Sequence, residues 1–155
     1  MLPHSNPDAR QSSPVSIYCY HVEAAIAWEH CRADSFKEID WKTIAEQYTL
    51  LNRIQPSPMV ALNLAIAMSY ASNLESGLKQ LVAIPAADRA RIRPWWDCAI
   101  ADLFYRLGNL DHAISHWKDG MLLTSNIEQR QMIARRIQDA KSEKTHFESK
   151  GVLEF

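Results

Sequence analysis

The chain has four glycines and three cysteines in 155 residues, and no uninterrupted apolar run of 18 residues. Each shortage excludes something. With 47% hydrophobic residues and so little glycine, the chain is neither fibrous nor disordered. Without a long apolar run it has no segment able to cross a bilayer as a helix. Cys19, Cys31 and Cys98 are odd in number and stand at no metal-ligand spacing, so they read as reduced thiols of a cytoplasmic protein. A formal net charge of −1 argues against a dedicated nucleic-acid binder, which needs many phosphate contacts. The opening stretch MLPHSNPDARQSSP lacks the apolar core of a signal peptide and reads as a loose leader. No stretch alternates convincingly with the period of a strand.

What is present is helical. The length suffices for one domain burying roughly 70% of its unfolded surface. The expected organisation is a leader over residues 1–15, a single helical domain over 16–150 and a tail over 151–155. A first helix is expected from about Ser16 to Ala33, with Val22, Ala25, Ile26 and Trp28 on its apolar face. Asp40 caps a second, which runs to about Ile54 with Ile44, Ala45, Tyr48, Leu50 and Leu51 turned inward. Ser57 and Pro58 supply the cap and the preset first φ of a third, and Asn73 starts a fourth. The connector IPAADRARIRP has room for one short turn of helix. Asn126 and Gln129 have the spacing of a capping box for a long final helix.

The stretch ADLFYRLGNLDHAISHWKDG, residues 101 to 120, spaces Ala101, Gly108, Ala113 and Gly120 around Phe104 and Trp117. Two helices lying against each other need that order, because small residues let the axes approach while aromatics fill the gaps beside them. Gly108 can take the positive φ that ends one helix, and Asn109 can cap the next. Shifted by 36 residues, Pro58 falls on Pro94, Ala65 on Ala101, Asn73 on Asn109, Gly77 on Ala113 and Leu81 on Trp117. The chain therefore repeats a helix hairpin. The hairpin pattern is similar to a tetratricopeptide repeat, with Ser125 where the repeat-ending proline usually stands. The expected fold is all-α: about three hairpins in a right-handed stack, with a C-terminal helix covering the last apolar face.

Chemical motifs are sparse. His112 and His116 are four apart on one helix face, but structural or catalytic zinc needs three or four ligands, so the pair is read as flanking the outer surface. No glycine-rich loop, nucleophile motif or paired-carboxylate spacing stands out, so no catalytic residue, metal or cofactor is expected. Cys98, among apolar residues, reads as an inert packing residue. The arginines of DRARIR beside Trp95 and Trp96 have the composition of a single-strand stacking platform, yet nearby acids and a near-neutral chain favour a solvated connector with one tryptophan in the core.

The series YHVEAAIAW, IDWKTIAEQYTLLNRIQPSPMVALNLAIA and IADLFYRLGNLDHAI resembles the C-terminal helical extension of a group of bacterial extracytoplasmic-function sigma factors. The matching positions include Tyr20, Ala24 to Ile26, Asp40, Trp41, Tyr48, Pro56 to Pro58, Leu62, Asn63, Ala101 to Leu103, Arg106 and Gly108. Leu64 stands where the family usually has arginine, Glu23 replaces a glutamine, and the glycine-proline before the first helix is missing. Nothing resembles the promoter-reading regions, so this chain is not expected to recognise DNA alone. The resemblance implies a non-catalytic regulatory module that contacts the sigma regions or the RNA polymerase core.

In tetratricopeptide arrays the first helix of each hairpin lines the concave side. Carried onto this sequence, that places Leu62, Ile66, Trp95, Cys98, Asp102, Tyr105 and Arg106 on a partner-binding face, alongside Met59, Ser69 and Tyr70. Val22, Ile26, Glu29 and His30 join them from the first helix. Asp102 and Arg106 are expected at its rim. The wall itself is expected to be covered by a partner chain, by the sigma regions, or by the tail with Phe147 and Leu153. A free-standing peptide-binding adaptor is the alternative reading, and a small-molecule-binding or enzymatic helical domain is the outsider.

Overall fold

Five side chains start five helices by the same local device. Asp40, Ser57, Asn73, Asn109 and Asn126 each accept a hydrogen bond from the backbone N–H three residues on, at 2.7–3.3 Å. The structure, a computed structural model, describes residues 38–153. The described residues form seven helices and no strand: α1 (Trp41–Ile54), α2 (Pro58–Ala71), α3 (Leu74–Ala83), α4 (Ala86–Arg91), α5 (Trp95–Arg106), α6 (Leu110–Leu123) and α7 (Ile127–Leu153). The helix expected over Ser16–Ala33, its residues Val22, Ile26, Glu29 and His30, and Cys19 and Cys31 lie outside the described residues.

Gly108 ends α5 at φ +84°, with its N–H on the Tyr105 carbonyl and the Asn109 N–H on that of Phe104. That pairing satisfies two orphan carbonyls of the last turn. Only half of the capping box at α7 forms. Asn126 caps Gln129, but the Gln129 side-chain oxygen accepts from the buried Thr124 hydroxyl, which in turn accepts from the Asn126 N–H.

Short connections fold α2 against α1, α3 against α2, and α6 against α5, while α5 also packs on α2 and α3. One core cluster joins Leu62 and Ala65 of α2, Leu81 of α3, and Trp96, Ile100 and Leu103 of α5. The Trp96 indole donates to the Leu81 carbonyl at 3.0 Å, so its one polar atom is satisfied inside that cluster. A second cluster joins Ala101 to Ala113 and Trp117 of α6 and to Ile133, Ile137 and Ala140 of α7. Ala101, Ala113 and Ala140 are fully covered, which brings three helices close around the Trp117 ring. A Cβ on Gly120 would stand 3.2 Å from that of Asp97, and one on Gly77 only 2.5 Å from that of Ser69. The small residues thus sit where helices touch. Leu50 does not follow its expectation: it is 42% exposed, on the outer side of α1, while Ile44, Ala45 and Leu51 are buried.

Candidate functional site

The packing of α2 on α5 leaves a groove of about 310 Å³ lined by Met59, Leu62, Asn63, Ile66, Trp95, Cys98, Ala99, Asp102 and Leu103. Residues at helical spacing on the two helices supply it, as i, i+3, i+4 and i+7 positions share a face. Its lining is mainly apolar. Met59 and Trp95, the latter 49% exposed, form the part open to solvent.

Of the residues expected on a partner-binding face, Leu62, Ile66, Trp95, Cys98 and Asp102 meet in this groove. Their burial differs. Leu62 is 2% exposed and belongs to the core, so it is the floor of the groove and has little surface left to offer a partner. Tyr105 and Arg106 do not line it. Tyr105 turns toward the other cluster, its ring 5.7 Å from that of Trp117. Arg106 reaches back to α2, donating to the Ser69 hydroxyl at 2.8 Å and the Ser69 carbonyl at 3.1 Å, with its guanidinium 3.7 Å above the Tyr70 ring.

Asp102 and Arg106 are therefore not free rim charges. Asp102 lies 3.6 Å from Arg106 and accepts from Arg136 of α7, so both partners are spent on joining α2, α5 and α7. Phe147 does not cover the groove either. It is 61% exposed and lies with Leu107, Gly108 and Lys144 beside the α5–α6 turn. Burial, helped by the neighbouring Asp97, pushes the Cys98 thiol up to about 11, so Cys98 lines the groove as a neutral, weakly polar group.

A second group of polar side chains gathers across α5 and α6. Asp97, His116 and Asp119 bring one ligand-type atom each to within 4.8 Å of one another, beside a hollow of about 360 Å³. Asp97 is 1% exposed and is held by Arg93, whose Nε and terminal nitrogen each donate to one carboxylate oxygen at 2.8 Å. His112 and His116 do not act as a pair at an outer surface. His112 is exposed, but His116 is partly buried, stacked on Phe104 with centroids 5.6 Å apart and edge-on to Trp96. Burial lowers the His116 pKa, outweighing the opposite pull of Asp97 and Asp119. His116 and Asp119 share a face at i, i+3, which the sequence displays. The contribution of Asp97 comes from a different helix and has no local signature.

Arg89 of the DRARIR connector lies over the Trp96 ring at 5.1 Å, and Arg93 is committed to Asp97. Two of the basic side chains considered for nucleic-acid stacking are thus engaged within the chain. Among the described residues no helix is long and apolar enough to cross a membrane.

No family model matches the chain. A stretch of 59 residues is 44% identical to part of an uncharacterized protein of Rhizobium meliloti (strain 1021). That stretch is 38% of this chain and spans 14% of the length of the relative.

Proposed function

We propose that this chain is a non-catalytic, tetratricopeptide-like regulatory module of an extracytoplasmic-function sigma factor. It docks through the α2–α5 groove on the sigma regions or the polymerase core, and so sets the activity of transcription initiation in the cytoplasm. The observation that carries the interaction role is the groove itself. Two helices one repeat apart place Met59, Ile66, Trp95 and Cys98 around one apolar channel whose mouth holds a half-exposed tryptophan. Such a surface is stabilised by about 25 cal/mol for each Å² removed from water, and aromatic anchors of this kind dominate binding energies at interfaces.

The sigma-factor part of the reading rests on the ordered motif series from Tyr20 to Gly108. The Rhizobium relative is compatible with it, since the similar stretch is a small part of a much longer protein. In a stack of hairpins the first helices of successive repeats lie side by side, and the contact of α2 with α5 supports this reading.

The test is binding of the purified chain to its cognate sigma regions and to core polymerase, with Trp95→Glu and Met59→Glu. Both side chains are substantially exposed, so both variants are expected to fold and to lose most binding. Full binding by the folded double variant removes the groove from the mechanism. Binding to neither component, by the parent chain, removes the sigma-factor reading.

A further inference from the structure

We propose that Asp97, His116 and Asp119 form a binding site for a divalent transition-metal ion that links the first turn of α5 to the middle of α6. The proposal is independent of the groove and of any sigma-factor role. One imidazole and two carboxylates, all within 4.8 Å by ligand-type atom, are a donor set suited to zinc, cobalt or manganese. Ligands around an ion at about 2.1 Å stand roughly 3.4 Å apart in a tetrahedron, so the three must close by up to about 1.4 Å. Asp119 is the mobile member, being exposed on α6. The other two are fixed: His116 by its stacking on Phe104, and Asp97 by burial and by Arg93.

Arg93 is compatible with such a role. An ionised carboxylate offers about four acceptor positions, and Arg93 uses one on each oxygen of Asp97. Metal-ligating carboxylates are ordinarily held by such outer hydrogen bonds, which fix their orientation. Arg93 also compensates the buried Asp97 charge before an ion arrives. The hollow lined by Asp97, His116 and Asp119 gives an ion a path from solvent and room for water as the remaining ligands.

The experiment uses the full chain, freed of metal by a chelator, titrated calorimetrically with Zn²⁺ and Mn²⁺ and followed by visible absorption with Co²⁺. One ion per chain and a raised melting temperature are expected for the parent. Asp119→Asn, an exposed change that leaves the core intact, is expected to weaken binding about tenfold or more, and His116→Gln likewise. His112→Gln, four residues away on α6 and outside the cluster, is expected to bind as the parent does. Absence of saturable binding by the parent overturns the site. So does binding that survives both Asp119→Asn and His116→Gln, or that His112→Gln weakens as much as His116→Gln does.

Discussion

Arg136 of α7 donates to Asp102 of α5, and its guanidinium lies 5.1 Å from the ring centroids of both Tyr105 and Trp117. The pair joins the C-terminal helix to the helix that carries half of the groove. Around it, Ile133, Ile137 and Ala140 pack on Ala101 and Trp117.

These two kinds of contact differ in weight. Arg136 and Asp102 are both partly exposed, so Arg136→Gln is expected to cost about 1 kcal/mol. Ile137→Ala removes buried volume from the same interface and is expected to cost about 2–5 kcal/mol. Trp117→Ala belongs with it, at about 3–5 kcal/mol. Urea denaturation ranks the three, and an Arg136 effect larger than that of Ile137 would make charge the main attachment of α7.

Gly77 and Gly108 are needed for different reasons. A Cβ at Gly77 meets Ser69 at 2.5 Å and the Ala65 carbonyl oxygen at 2.9 Å, whereas one at Gly108 meets nothing within 4 Å. Gly77→Ala is expected to destabilise by about 1–3 kcal/mol through overpacking. Gly108→Ala acts through its positive φ and costs roughly 1–2 kcal/mol. Asparagine separates the causes: it should recover part of the loss at 108, where the left-handed region is required, and deepen the loss at 77. Equal melting temperatures for the two asparagine variants would refute that distinction.

Leu50 and Leu62 carry the same side chain with opposite burial. Leu62→Ala is expected to cost about 2–5 kcal/mol and Leu50→Ala no more than about 0.5 kcal/mol. A comparable loss at both positions, measured by chemical denaturation, would place Leu50 in contact with a segment outside the described residues.

The Cys98 thiol has its pKa raised to about 11 from 9.0, first by burial and then by Asp97. Because the thiolate is the reactive form, a raised pKa lowers its fraction at a given pH. In a Cys19→Ser, Cys31→Ser background, alkylation at pH 8 is expected to be about 100-fold slower than for a thiol titrating at 9. The rate should climb about tenfold per pH unit until it nears 11. A rate at pH 8 matching that of free thiols would mean that the groove opens around Cys98.

What the sequence determined is mostly what a helix decides within four residues of itself. The caps at Asp40, Ser57, Asn73, Asn109 and Asn126 and the positive φ of Gly108 are local events, each set by one side chain and the backbone beside it. The small residues Gly77, Ala101, Ala113 and Gly120 were legible because close helix approach tolerates little else. The likeness to a tetratricopeptide repeat also put Leu62, Ile66, Trp95, Cys98 and Asp102 on one face, although it could not say how deep each would lie. Depth depends on which neighbour arrives. Leu62 sinks into a core shared by three helices, and Arg106 leaves the groove because Ser69, 37 residues earlier in the chain, offers two acceptors. The commitment of Asp102 to Arg136, and the meeting of Asp97 with His116 and Asp119, have the same origin. Polar side chains choose among partners that only helix packing brings within reach, so these pairings were decided by the tertiary structure.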